Sequence, residues 1–221
     1  MFYSTTNETL DAIILGLDIH TNDRVLAVGG SGDQAFALAA SGASVVAVDK
    51  RQRQVEFMEQ RHLLLSEGRV NEFLQAYLTP TQPGKNSYDF FSQRKTSLEE
   101  LHENIVIVQK NIFSMNGTFD KIYLSNAMGW ELKYAAKLSL AHSLFVQAYA
   151  AVLYPIQVIL NFRALRQNLV PGGLLYLSSP VWGGYDFYPW PCGFTMESAL
   201  TRKARDLEVE PMWEPVVLRK I

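Results

Sequence analysis

The apolar positions along the chain change period repeatedly. Arg24–Val28 (RVLAV) and Ser44–Val48 (SVVAV) are short, nearly unbroken apolar runs, the pattern of strands buried on both faces. Helical spacing predicts a short lead-in helix over Leu10–Leu17, a second over Asp33–Ala40 and a strong amphipathic helix over Arg51–Leu65. Further strands are predicted at Ile105–Val108, Lys121–Ser125 and Leu174–Ser178, with Leu207–Val209 and Val216–Arg219 as two more candidates in the tail. Lys133–Leu153 and Ile156–Leu169 read as two helices, with Pro155 at the junction, where a first-turn proline is tolerated. Pro171, Gly172 and Gly173 predict a tight turn into the fifth strand. Glu67–Glu103 breaks the alternation with Pro80, Pro83, Gly84, Asn86 and Ser87, and reads as an insertion of short helices and loops that would cap the domain. Strands joined by helical crossovers imply an α/β fold, a Rossmann-like, doubly wound, mostly parallel sheet in one domain over residues 1–221.

Composition narrows the class. The chain has 221 residues, 48% apolar and 19% charged, enough for a sizeable core. A formal charge of −2 gives no general pull toward nucleic acid, so no nucleic-acid partner is expected. The one cysteine, Cys192, cannot form an internal disulfide and reads as a small packed residue. The opening MFYSTTNETL lacks the basic start and apolar core of a signal peptide, and a cytoplasmic location is expected. Leu138–Phe162 carries no Lys, Arg, Asp or Glu, yet Ser139, His142, Ser143, Gln147, Pro155, Gln157 and Asn161 make it too polar to span a bilayer. Two buried helices are expected there, with peripheral lipid contact as the minority reading.

The first strand-to-helix junction carries the chemistry. VLAVGGSGD (Val25–Asp33) places Gly29, Gly30 and Gly32 directly after a strand and before a helix, where the backbone must turn sharply and approach a ligand closely. Asp49 closes the next strand, at the position where an acid accepts hydrogen bonds from ribose hydroxyls. Asp is also a favoured helix cap, so Asp49 has a bland alternative role ahead of Arg51–Leu65. Asp33 at the helix N-terminus would repel a pyrophosphate and tolerate a cationic amino group. That contrast favours S-adenosylmethionine (SAM), which has a ribose and an amino-acid end but no phosphate, over NAD.

The order of glycine loop, acid at the second strand end, fourth strand and LVPGGLLYLS (Leu169–Ser178) resembles class I SAM-dependent methyltransferases over Asp23 to about Ser179. Ala27 stands where that family usually has an acid, and Ser31 where it usually has glycine. SGDQAFALAASGASVVAVDKRQRQ (Ser31–Gln54) is more narrowly similar to the SAM-binding region of the betaine-lipid synthase family, which transfers the 3-amino-3-carboxypropyl group of SAM to diacylglycerol. LSNAMGW (Leu124–Trp130) resembles the fourth-strand end of that family, with Gly129 in place of its usual Asp. The resemblance implies a cofactor site in which Gly29, Gly30, Ser31, Gly32 and Asp33 surround the amino-acid end, Asp49 holds the ribose, Lys50 follows it and Gln54 supports the loop. Asn111 and Ile112 would frame adenine, and Ser125, Asn126 and Ala127 would line the floor beneath the sulfonium. No metal is called for.

Candidates for a general base are Tyr185, Asp186, His142 and Asp120, with Tyr185 and Asp186 preferred. Asp120 doubles as a turn cap and His142 as a packed histidine. Pro180–Phe194 (PVWGGYDFYPWPCGF) concentrates aromatics just past the fifth strand, as an acceptor pocket or as core cover, and Tyr3 is a candidate to close over SAM. Three functions are therefore expected: aminocarboxypropyl transfer to a small-molecule or lipid acceptor, methyl transfer, and non-catalytic SAM binding, the last motivated by Gly129. An NAD(P)-linked oxidoreductase is the remote alternative.

Overall fold

A computed structural model describes residues 4–75, 77, 85–125, 127, 144–180, 193–209 and 213–221. The chain runs α1 (Leu10–Gly16), β1 (Arg24–Val28), α2 (Asp33–Ala40), β2 (Ser44–Asp49) and α3 (Gln52–Ser66). The insertion follows as α4 (Val70–Gln75), α5 (Lys85–Ser92) and α6 (Lys95–Glu100), then a 3-10 turn into β3 (Ile105–Gln109). The second half is β4 (Phe119–Ser125), α7 (Leu144–Asn168), β5 (Leu169–Pro180), β6 (Phe194–Met196), α8 (Ser198–Leu207) and β7 (Trp213–Lys220).

Among the described residues seven strands form one sheet in the order β3-β2-β1-β4-β5-β7-β6. β1 to β5 are parallel, and β7 runs antiparallel between β5 and β6. Both faces are covered, which explains the unbroken apolar runs. Side chains alternate across the sheet. Val25, Ala27, Val45, Ala47, Tyr123 and Tyr176 enter one buried cluster with α1, α2 and α8. Leu26, Val48, Ile122, Leu124, Leu175 and Leu177 enter the other with α7. The winding reverses between β1 and β4, which opens a crevice at the carboxyl ends of those strands. The fold is the Rossmann-like, doubly wound sheet that the alternating pattern predicts.

Four elements depart from the pattern. Leu144–Asn168 is one helix that runs through Pro155 instead of breaking there. A proline removes one amide from the ladder, and the many remaining bonds of a 25-residue helix carry it past the gap. The Pro171-Gly172-Gly173 turn lies inside β5 as an irregularity in its pairing with β4, with Gly172 at φ +77°. Leu207–Val209 is no strand: Leu207 ends α8 and Glu208 caps it. α8 fully buries only Thr201 and Ala204, with Leu200 packed partly buried against the core, so its inward face offers a short apolar signal for a helix. β6 had no counterpart among the expected strands.

The described part of the insertion is built into the core: Phe73, Leu74, Tyr77, Phe90, Phe91 and Leu98 share the cluster that holds α2 and β1. Among the described residues, no helix is long and apolar enough to cross a membrane. On α7, Ile156, Ile159 and Leu160 are exposed, so this stretch is not fully buried.

Candidate functional site at the carboxyl edge of the sheet

The loop between β1 and α2 is shaped by its glycines. Gly29 N–H donates to the Val48 carbonyl at 2.7 Å, and Gly32 N–H donates to the Gly29 carbonyl at 2.7 Å, closing a tight turn. Gly30 (φ +51°) and Gly32 (φ +87°) adopt the left-handed region that side chains disfavour. They differ in surroundings. A Cβ on Gly30 would meet nothing within 4 Å, whereas one on Gly32 would press to 2.8 Å from the Phe36 ring. Gly30 is thus the point of the loop at which bare backbone meets open space. Ser31 is buried, and its hydroxyl accepts from Asp33 N–H at 3.4 Å.

Asp33 does not wait for a cationic ligand, contrary to expectation. Its carboxylate is fully buried and already meets an internal cation, Arg61 of α3, at 2.5 Å. It also accepts from Thr6 N–H (2.8 Å), Thr5 Oγ1 (3.0 Å), Tyr77 Oη (2.6 Å) and Ser87 Oγ (3.3 Å). Arg61 Nη1 donates in addition to the Ser31 carbonyl at 2.8 Å. The guanidinium lies 4.6 Å from the Phe73 ring centre, 4.8 Å from Tyr77 and 5.1 Å from Phe36. Such cation–π contact supports a buried guanidinium. Asp33 therefore anchors the loop from below.

The N-terminal residues form a strap over the same place. Gln34 Nε2 donates to Thr6 Oγ1 at 2.6 Å. Asp33, Gln34 and Ala35, the first turn of α2, are all buried as a result. The amides at that helix N-terminus, which would bind a pyrophosphate in a dinucleotide site, are sealed by the chain itself.

Asp49 ends β2 beside the glycine loop. Its Oδ1 accepts from Arg51 N–H at 2.8 Å, so the capping role is real. Among the described residues no donor reaches Oδ2, and the side chain is half-buried. Lys50 is exposed, and Gln54 is buried on the inner face of α3. Past β3, Asn111 Oδ1 accepts from Phe113 N–H at 3.1 Å and caps a 3-10 turn, while Ile112 is buried against Leu26 and Val48. Gly30, Asp49, Asn111 and Ile112 thus follow the ends of three adjacent strands along one edge.

Ser125 ends β4 across the switch point, with φ +50°, and Ala127 follows, half-buried. Asn126, Tyr185, Asp186, His142, Cys192 and Tyr3 lie outside the described residues. Asp120 lies at the far end of β4, where it accepts from Arg24 N–H at 2.8 Å and Arg24 Nε at 3.3 Å. Its place at the amino ends of the strands removes it as a base for chemistry in the crevice.

Two groups were missed in the sequence. Arg61 had a signal: it sits at helical spacing with Gln54, Val55, Met58 and Leu65, a charge within the buried stripe of α3. Glu8 had none. It lies in the strap, is buried, and accepts from Tyr123 Oη at 2.8 Å and from Ser125 Oγ, partners more than a hundred residues away. Burial pushes its carboxyl up to about 7 from an ordinary 4.5, against the downward pull of the Ser125 and Tyr123 hydroxyls; the nearby Glu208 carboxylate adds to the rise. Burial likewise pushes the Tyr123 and Tyr176 phenols well up, so both are neutral O–H groups.

No protein-family model matches the sequence, and no curated protein matches it. Solved structures do resemble the fold. TrmN from Thermus thermophilus aligns with a TM-score of 0.53 at 15% identity over 96% of this chain and 48% of its own. The chain thus spans about half the length of TrmN. The [4+2]-cyclase SpnF aligns at 0.49 and 11% identity over 96% of this chain and 79% of its own. The N-methyltransferase NodS from Bradyrhizobium japonicum WM9 aligns at 0.48 and 11% over 95% and 92%. At such identity the TrmN likeness speaks for the fold alone, and it is the same Rossmann-like α/β architecture that the strand order displays.

Proposed function

We propose that this chain is a SAM-dependent transferase. One relationship carries the reading: Gly30 and Asp49 stand at neighbouring strand ends beside the switch point, while the first turn of α2 between them is sealed. Bare backbone at Gly30 lets a ligand approach closely, and the open oxygen of Asp49 suits a ribose hydroxyl. A sealed helix N-terminus disfavours a pyrophosphate, which SAM lacks. The preference for SAM over NAD thus stands on a different basis from the one the sequence suggested: Asp33 acts by shaping and closing the turn rather than by repelling phosphate.

The residues present fit the donor. Asp49 Oδ2 would hold the ribose, Ile112 would supply an apolar wall for adenine and Asn111 a polar rim, and Ser125 and Ala127 lie where the reacting end would rest. When bound, SAM supplies a sulfonium that makes all three attached carbons electrophilic. The protein's part is then to align acceptor and carbon and to exclude water.

The finer reading is transfer of the 3-amino-3-carboxypropyl group to a small-molecule or lipid acceptor, supported by the likeness of Ser31–Gln54 to the betaine-lipid synthase family. Methyl transfer is the second reading, supported by the likeness of the glycine loop and Leu169–Ser178 to class I methyltransferases. Incubation with SAM and fractionated cell extract, followed by mass spectrometry of the nucleoside product, separates the two. Methylthioadenosine indicates the first and S-adenosylhomocysteine the second. SAM binding by calorimetry with neither nucleoside released would leave a non-catalytic SAM-binding protein, and tighter binding of NAD than of SAM would overturn the proposal.

A further inference from the structure

Two carboxylates are buried at the N-terminal strap, Glu8 within it and Asp33 below it, and they are treated differently. Asp33 is matched by Arg61. Glu8 has no cation: among the described residues no ion pair reaches it. Its Oε1 is saturated by Tyr123 and Ser125, but Oε2 is buried without a hydrogen-bond partner. On β5, Tyr176 Oη is buried without a partner and close enough to feel the Glu8 charge, while the Ser178 hydroxyl has no partner at ordinary hydrogen-bond distance but faces the Glu8 carboxylate and pulls its titration down. An incompletely paired carboxylate oxygen with two hydroxyls beside it, towards the crevice end of β4 and β5, is costly unless something else completes the hydrogen bonding. The Tyr123 and Tyr176 rings, with centres 5.8 Å apart, flank it with π-faces.

A primary amine meets every one of these needs. As an ammonium its three N–H groups can donate to Glu8 Oε2 and to the two hydroxyl oxygens. In its cationic form it supplies the missing countercharge beside aromatic rings. We propose that Glu8 Oε2, Tyr176 Oη and Ser178 Oγ form the subsite that holds an amine acceptor, with Glu8 as the group that receives its proton. This rests on the SAM-dependent reading above. Before transfer the bound ammonium gives one proton to the Glu8 carboxylate, which frees the nitrogen lone pair. That pair then forms the new bond to carbon, and the carbon–sulfur pair returns to sulfur, which becomes a neutral thioether. The product nitrogen carries the positive charge as a substituted ammonium. A carboxyl that titrates near 7 is suited to such a transfer. The charged and titratable groups facing Glu8 are Tyr123 on β4, Tyr176 on β5 and Glu208 after α8.

The test uses the whole chain, with butylamine and butanol as probes and SAM as control. Butylamine is expected to raise the melting temperature of wild type above that seen with butanol, most at pH 7 to 8. Its apparent affinity should fall on the order of tenfold or more in E8Q, the worth of one hydrogen bond to a charged group, and less in Y176F. SAM binding by calorimetry should be the same in wild type and E8Q. Equal effects of amine and alcohol, an amine effect that persists in E8Q, or no amine effect in wild type would each overturn the subsite; the last is expected if ordered water satisfies the three atoms. Loss of SAM binding in wild type overturns the broader reading instead.

Discussion

Arg61 Nη1 lies 2.5 Å from Asp33 Oδ1, and both side chains are shut away from solvent, at 4% and 0% exposure. The pair joins α3 to the glycine loop, since the same nitrogen also holds the Ser31 carbonyl. Removing one partner strands the other charge in the core. Arg61→Met should therefore cost about 3–5 kcal/mol of stability, read by urea unfolding. Asp33→Asn should also destabilise, and the double variant should lose less than the sum of the two singles, because each single removes the same interaction. Additive losses would show that the pair is not coupled.

The glycine loop predicts a contrast between two similar substitutions. Gly32→Ala puts a Cβ at 2.8 Å from a rigid buried ring and at a left-handed φ, and should cost about 2 kcal/mol or more. Gly30→Ala has the same handedness but open space, and should cost about 1 kcal/mol. The ranking should invert for ligand binding. If the donor approaches the backbone at Gly30, as proposed, the new methyl stands in its way, so SAM affinity per unit of stability lost should fall more in Gly30→Ala. Unfolding curves and calorimetry on both variants check this.

What the sequence disclosed and what it hid divide by distance along the chain. The loop, Asp49 and the strands were legible because each is a local pattern: an apolar run, a glycine cluster, an acid at a fixed offset. The Asp33–Arg61 pair spans 28 residues and the Glu8–Ser125 contact 117, and no local period links such positions. Asp33 was misjudged for that reason, since a lone acid at a helix start looks free until Arg61 is brought beside it. α8 gave little signal because its inward face is Thr201, Ala204 and a partly buried Leu200, and Pro155 reads as a break because the lost amide is local while the bonds that carry a 25-residue helix past it are not.

Asp49 carries two jobs that a substitution can separate. Asp49→Asn keeps an oxygen for the Arg51 amide but brings an N–H where a ribose hydroxyl would donate. It should weaken SAM binding by about tenfold or more while changing stability by less than about 0.5 kcal/mol. Asp49→Ala should weaken binding similarly and also lose about 1 kcal/mol from the lost cap. Calorimetry and unfolding on the same samples separate the two effects; unchanged SAM affinity in both variants would remove Asp49 from the site.

Glu8 gives the protein a pH dependence of definite sign. Its carboxyl is held near 7 in the fold against 4.5 in the open chain, so between those values the native state binds the proton more tightly. Stability from this group is therefore fullest below about pH 4.5, declines as pH rises, and is gone above about 7. A shift of this size corresponds to about 3 kcal/mol across the window. Glu8→Gln is uncharged throughout and should flatten the profile: the variant should match wild type at pH 4.5 and exceed it at pH 8, while keeping an acceptor for Ser125 and Tyr123. Urea midpoints of wild type and E8Q measured across that range check it. Parallel profiles would mean that Glu8 titrates alike in the folded and unfolded chain, and with that the uncompensated buried charge within the strap would be excluded.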